Sequence, residues 1–62
     1  MKKFELRYFD HDTETIECIE FYTEEEEVKW QLGENAQKFF TIDTSSMYVA
    51  IPLVDVKRVQ RL

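Results

Sequence analysis

The segment KFELRYF, residues 3–9, carries the clearest secondary-structure signal in this chain. Its apolar side chains Phe4, Leu6 and Tyr8 alternate with the charged side chains between them. Successive side chains of a strand point to opposite faces, so a period of two indicates a strand with one buried face. The segment therefore predicts a half-buried β-strand near the start of the chain.

A second strand is predicted directly downstream of the first. Residues 10–13, Asp-His-Asp-Thr, form a polar break whose short side chains favour a tight turn. Residues 15–22 are again rich in β-branched and aromatic side chains, which favour strands. The two strands and the break between them predict a β-hairpin.

The alternation changes phase within this second strand. Ile16 and Cys18 fall on one face, whereas Ile19 and Phe21 fall on the other. A bulge or sharp coil shifts one side chain to the opposite face, so we predict such an irregularity near Cys18.

Residues 23–38 fit two structures. Val28, Trp30 and Leu32 alternate with polar residues, and this pattern favours a strand over residues 27–32, which is the preferred interpretation. A turn or short helical connection over residues 35–37 would follow that strand.

The alternative for the same segment is a helix. Thr23 suits an N-cap, Glu26 completes a capping box, and Gly33 suits the residue after the C-terminus. A helix would place Val28 and Leu32 together and turn Trp30 away from them.

A second hairpin is predicted from residues 38–43 and 47–53, which flank the short polar turn Thr44-Ser45-Ser46. Pro52 lacks an N–H, so its strand ends there or runs along a sheet edge. Four apolar side chains of the second strand share one face: Met47, Val49, Ile51 and Leu53.

The segment Ile51-Pro52-Leu53-Val54-Asp55-Val56-Lys57-Arg58-Val59 resembles the close of many small barrels, including SH3-like and Sm-like ones. In those folds a strand runs into a single helical turn, and a last strand, here residues 56–62, closes the sheet. The whole chain, residues 1–62, then predicts one all-β domain, or β with one short helix. We expect a small antiparallel sheet or a partly open barrel of roughly four to six strands.

A chain of 62 residues has a marginal core, so further stabilisation is expected. Cys18 is the only cysteine, which rules out a disulfide within the chain. We therefore expect a core rich in the nine aromatic residues, together with self-association as a two-fold homodimer. The predicted core residues are Phe4, Leu6, Phe40, Ile42, Val49 and Ile51.

No motif for catalysis or metal binding is complete. Asp10-His11-Asp12-Thr13-Glu14 resembles the start of a calcium loop, but Thr15 replaces the required glycine and Phe21 the required glutamate. His11 lies at a predicted turn tip, where a catalytic pocket is rare, and with Cys18 it supplies too few ligands for zinc. Cys18 itself is predicted to be a small buried hydrophobic side chain. We expect no enzyme activity, no metal and no cofactor.

Charge is unevenly distributed along the chain. Residues 10–27 contain nine acidic residues and no Lys or Arg, and the net charge is −5. Nucleic-acid phosphates demand cationic contacts, so nucleic acid is disfavoured as a partner. A basic protein is the expected partner, with an exposed minority of the aromatic residues marking the interface. The predicted partner-binding residues are Glu24, Glu25, Glu26, Glu27, Trp30 and Tyr48.

Together these features favour a non-catalytic protein-binding module. The class resembles small acidic inhibitors or regulators of the phage or mobile-element type, which block a host defence or nucleic-acid-handling enzyme. One alternative is a structural module whose task is homo-oligomerisation. A second is a small barrel that binds single-stranded nucleic acid through exposed aromatics with Lys57, Arg58 and Arg61. No signal peptide or membrane segment is recognisable, and a single thiol suits a reducing cytoplasm.

Overall fold

The computed structural model describes residues 1–10, 14–33 and 38–62. The described residues are mostly β with one short helix, as the sequence predicts, and form a three-stranded and a two-stranded antiparallel sheet. Together they form no closed barrel. In chain order the elements are β1 (Lys2–Phe9), β2 (Ile16–Thr23), α1 (Glu25–Leu32), β3 (Phe39–Asp43), β4 (Tyr48–Pro52), one 3₁₀ turn (Leu53–Asp55) and β5 (Val56–Arg61).

The first hairpin is confirmed, but the predicted bulge near Cys18 is wrong. β1 and β2 pair without a register shift from Lys2 opposite Thr23 to Phe9 opposite Ile16. Ile16 and Cys18 simply face outward and are exposed. Phe9 lies opposite Ile16 and Arg7 lies opposite Cys18. These neighbours partly cover the apolar atoms of Ile16 and Cys18, so no bulge is needed to turn the two side chains inward.

The three-stranded sheet has the order β2-β1-β5, which makes β1 its central strand. The single helical turn and the final strand predicted from residues 51–59 are both present. The register between β1 and β5 shifts between Arg7 and Tyr8, which is where the sheet carries its irregularity. The backbone N–H of Leu62 donates to the carbonyl of Lys3 at 2.9 Å and extends this pairing.

The preferred strand over residues 27–32 is wrong, because these residues belong to the helix α1. On a helix, Val28 and Gln31 lie three residues apart on one face, and both are buried. Trp30 points away and is 46% exposed, as the helical alternative requires. Burial of one face thus overrides the local alternation, since packing supplies most helix stability in proteins.

The capping expected for that helix also differs. Thr23 is the last residue of β2, and the residue before the helix is Glu24 in an extended conformation without a side-chain cap. Gly33 follows the helix with a negative φ of −124°. A Cβ at Gly33 would lie 3.0 Å from the carbonyl oxygen of Lys29, so this close approach favours glycine. The predicted turn over residues 35–37 lies outside the described residues.

The second hairpin is confirmed, with Phe40 opposite Ile51 and Ile42 opposite Val49. Its turn is closed by a hydrogen bond from the Thr44 N–H to the Met47 carbonyl at 2.8 Å. Pro52 ends β4, which runs along a sheet edge, as its missing N–H predicts.

The core lies between the inward faces of the two sheets and the buried face of α1. Five of the six predicted core residues are buried, and Val49 is half-buried and packs against them. The Phe21 ring packs between those of Phe4 and Phe40, with centroid distances of 6.1 and 6.2 Å. The buried apolar side chains are Phe4, Leu6, Phe21, Val28, Phe40, Ile42 and Ile51.

Candidate functional site

The four consecutive glutamates predicted to face a partner lie at the start of α1. Glu24 precedes the helix, and the other three form its first turn. Carboxylates are stabilised there by the unpaired N–H groups of the helix N-terminus and by its dipole. Within the described part of the chain, Glu24 is the only one of the four with a salt bridge, 3.6 Å from the amino terminus. Glu26 and Glu27 are exposed, whereas Glu25 is half-buried.

Trp30 lies on the same helix as these glutamates. It lines an open surface cleft of about 540 Å³ together with Glu26, Glu27, Lys29 and Gly33. Three of the predicted partner-binding residues, Glu26, Glu27 and Trp30, are therefore brought together at one place. We call this place the helix surface. It combines a large amphipathic ring with two carboxylates, a combination that suits contact with a cationic protein.

Tyr48, the other aromatic residue predicted to bind a partner, lies elsewhere. It is on β4 opposite Asp43, is 67% exposed and does not line the cleft beside Trp30. The aromatic residues are more exposed than the sequence suggests, since only Phe4, Phe21 and Phe40 are buried. The exposed ones are Tyr22, Trp30, Phe39 and Tyr48.

Gln31 is a residue that the sequence did not single out. It is 7% exposed, and its amide Nε2 donates to the Thr41 carbonyl at 2.9 Å. Its Oε1 accepts from the Thr41 N–H at 2.8 Å and from the Thr41 hydroxyl at 3.2 Å. A side-chain amide carries the same donor and acceptor as a backbone peptide, so Gln31 occupies the place of a strand partner for β3. The only sequence signal for this role is its spacing of three residues from Val28.

The outward face of the three-stranded sheet carries a second unexpected cluster. The Glu5 side chain is only 12% exposed, and Arg7 Nε donates to its Oε1 at 2.7 Å. This hydrogen bond, together with one to the Cys18 thiol, holds the pKa of Glu5 below its ordinary value. The Glu5 carboxylate likewise raises the pKa of Arg7. The cluster is a small polar network on the central strand.

The prediction that Cys18 is buried is wrong, because its side chain lies on the outward face of β2 and is exposed. Neighbouring side chains still crowd the thiol. That desolvation, followed by the hydrogen bond to Glu5, raises the pKa of Cys18 above its ordinary value. A thiolate is the reactive form of cysteine, so this thiol is a poor nucleophile.

The two outer strands of the three-stranded sheet carry opposite charges. Glu17 and Glu20 are exposed on β2, and Glu20 lies 3.1 Å from Lys3 Nζ on the neighbouring strand. The pKa of Lys3 is raised by that hydrogen-bonded carboxylate. The cations considered for nucleic-acid binding all lie on β5, where they are exposed: Lys57, Arg58 and Arg61.

An open cleft of about 580 Å³ lies between the end of β2 and the turn of the second hairpin. Its lining includes Met1, Glu20, Tyr22 and residues 43–47. Carboxylates and hydroxyls line it, from Glu20 and Asp43 and from Thr44, Ser45 and Ser46.

Among the described residues, no group of three His, Cys, Asp or Glu side chains lies close enough to hold a metal ion. His11 and Asp12 of the calcium-like segment lie outside these residues. No described helix is long and apolar enough to cross a membrane.

The sequence and the fold were also compared with known proteins. No protein-family model, no curated protein and no solved structure matches this chain.

Proposed function

We propose that this chain is a non-catalytic protein-binding module whose helix surface contacts a basic partner. The observation that carries the proposal is the half-exposed Trp30 beside Glu26 and Glu27. Tryptophan supplies a large share of binding energy when an interface desolvates it. Carboxylates without a salt bridge attract a cationic partner and repel an acidic one.

In this proposal the chain acts as an inhibitor or regulator that covers a basic surface of a larger protein. A net charge of −5 with three glutamates in the first turn of α1 supports a partner that carries clustered cations. Proteins that handle nucleic acid carry such surfaces, because they bind phosphates. A phage or mobile-element inhibitor of a host enzyme is the form of this function that we favour.

The first experiment tests Trp30. The chain is immobilised, a captured partner is identified by mass spectrometry, and its dissociation constant is then measured with purified proteins. We expect Trp30→Ala to weaken binding by about 30-fold or more, the loss of roughly 2 kcal/mol typical of a central aromatic residue. Tyr48→Ala is the matched control, since it removes an even more exposed aromatic side chain from another element. Equal affinities for wild type and Trp30→Ala would contradict the helix surface as the binding site.

The second experiment tests the carboxylates. Replacing Glu24, Glu25, Glu26 and Glu27 with Gln removes the charge and preserves the side-chain size. We expect slower association with the partner and a weaker dependence of the association rate on salt, because steering by exposed charges is screened by ions. Circular dichroism verifies that the helix is retained. Unchanged association at every salt concentration would mean that the glutamates only keep this face solvated.

A further inference from the structure

The sheet β2-β1-β5 ends in two strands of opposite charge. β2 carries Glu17 and Glu20 and no cation, whereas the cations Lys57, Arg58 and Arg61 lie on β5, which has no acid. All five side chains are exposed, and Glu20 also forms a salt bridge with Lys3 of β1, which leaves Glu17 as the acid of this strand without a salt bridge among the described residues. The acidic edge and the basic edge therefore belong to one sheet and face away from each other.

Both edges lack a second strand partner in the described structure. β2 pairs only with β1, and β5 also pairs only with β1. The N–H and C=O groups on the outer side of such strands form a template for another strand. The edge of β3 differs, because Gln31 occupies its groups at Thr41.

We propose that a second copy of this chain pairs its β5 with the β2 of the first copy, so that copies associate head to tail through the sheet edges. Two-fold pairing of β2 with β2 would bring the glutamates of both copies together. Pairing of β5 with β5 would likewise bring six cations together, three from each strand. Like charges across neighbouring strands are destabilising and opposite charges are stabilising, so only the β2–β5 arrangement is complementary.

The strand directions and the apolar face agree with this arrangement. β2 and β5 are each antiparallel to β1, so a copy in the same orientation continues the sheet as a parallel pair and keeps the inward faces on one side. Ile19 of β2 and Val59 of β5 lie on that inward face, flank Leu6 and are only half-buried. Pairing Ile19 with Val59 would complete the burial of both side chains. The same register leaves Glu20 one diagonal step from Arg58 on the outward face.

Head-to-tail contact differs from the two-fold homodimer expected from composition. A contact between two different surfaces leaves one of each unoccupied at the ends of every open assembly, so growth stops only when a ring closes. We therefore expect sedimentation to reveal species larger than a dimer as the concentration rises. Association should also weaken as salt is added, because exposed charges provide the complementarity.

Two charge-reversal variants test the proposal. The acidic-edge variant is Glu17→Lys/Glu20→Lys, and the basic-edge variant is Lys57→Glu/Arg58→Glu/Arg61→Glu. Each has edges of one sign, so we expect its self-association to weaken by at least about tenfold. An equimolar mixture should associate again, because each edge of one variant is then complementary to an edge of the other.

The matched control is Glu24→Lys/Glu26→Lys, which changes the net charge as much as the acidic-edge variant does but leaves both sheet edges intact. It should self-associate at least as strongly as wild type, even though it removes charges from the proposed partner-binding surface. Circular dichroism verifies folding, and Glu17→Gln/Glu20→Gln with its salt dependence replaces any reversal variant that does not fold. A wild-type chain that stays monomeric, or a mixture that associates no better than its components, would overturn the proposal. Either result would leave the binding function of the helix surface untouched.

Discussion

The outer edges of β3 and β2 meet the same physical problem in different ways. At β3, a single side chain, Gln31, supplies both a donor and an acceptor to Thr41 and so satisfies the edge at that residue. At β2, the described structure provides no partner strand, and Glu17 and Glu20 give the edge its charge. Hydrogen bonds from Gln31 occupy the backbone groups of Thr41 whatever the partner, whereas the charge of β2 disfavours only partners of the same sign. Of these two edges, β2 is therefore the one at which we propose that another chain pairs.

The largest effect is expected from the packing beneath the closed edge. Ile51 is 8% exposed and lies opposite Phe40, so it anchors the β3–β4 hairpin to the core. We expect Ile51→Ala to lower the free energy of unfolding by about 2–5 kcal/mol, because it leaves a cavity among buried side chains. Urea denaturation followed by circular dichroism measures this loss.

The matched change at the open edge is Ile16→Ala on β2, where the side chain is 43% exposed. It should cost no more than about 0.5–1 kcal/mol, since a large part of the side chain stays in water in the folded state. Equal losses for the two variants would contradict this expectation, because they would mean that Ile16 and Ile51 are equally well packed.

The next largest loss of stability is expected when the hydrogen bonds between Gln31 and Thr41 are removed. Gln31→Met keeps the side-chain length but removes the amide, which leaves the Thr41 N–H and C=O without their partner. We expect a loss of about 1–3 kcal/mol, the usual cost of unsatisfied buried polar groups, and faster hydrogen exchange at the Thr41 amide. Thr41→Val is the control, because it removes only the longer hydroxyl bond of 3.2 Å and keeps both backbone bonds. If exchange at the Thr41 amide is the same in wild type and Gln31→Met, Gln31 does not close the edge.

A smaller effect on stability is expected when Glu5, on the outward face of the central strand β1, is protonated at low pH. The hydrogen bond from Arg7 lowers the pKa of Glu5 in the folded protein below its ordinary value of 4.5. At a pH above 4.5, ionised Glu5 therefore stabilises the folded state. This contribution is lost as the pH falls through the lowered pKa of the folded state. We expect Glu5→Gln to lower the Tm near neutral pH, and the difference from wild type to shrink in acid. The control Glu26→Gln removes a carboxylate from the helix surface. A Tm difference that persists unchanged at low pH would exclude this role of Glu5.

The smallest effect concerns Cys18, which lies on the open-edge strand β2. Desolvation and the hydrogen bond to Glu5 raise the pKa of its thiol, so we expect slower alkylation by iodoacetamide in the folded protein than in the urea-unfolded chain. Glu5→Gln should accelerate alkylation, since it removes the nearby negative charge. Alkylation in the folded protein at the rate of the unfolded chain would show that the thiol is not perturbed.

Strand positions were predictable from the sequence because their signal is local. The alternation in residues 3–9 corresponds to β1, and the two hairpins around polar turns correspond to β1–β2 and β3–β4. Backbone geometry forces alternate side chains onto opposite faces, so a strand with one buried face is recognisable without its partners.

The candidate site was predictable only in part. The acidic run and Trp30 were recognised as partner-binding candidates, but their joint position on one helix face depended on α1, for which a strand was the preferred prediction. Val28-Lys29-Trp30-Gln31-Leu32 has apolar residues at both strand and helix spacings, so its conformation depends on which side chains the rest of the fold can bury. The structure buries Val28 and Gln31 and leaves Trp30 half-exposed.

Local patterns and composition were enough to predict the β-rich class, the two hairpins, the final strand and the strong acidic charge, because each depends on neighbouring residues or on residue content. Long-range packing makes residues 25–32 helical, places Gln31 against Thr41 of β3, and turns Cys18 outward beside Glu5 and Arg7. The positions of the acidic and basic edges also depend on long-range packing. β2 and β5 flank the same strand β1, and 32 residues separate them in the chain. These features depend on contacts between residues far apart in the chain, and the pattern within any one segment does not specify which distant segment will pack against it.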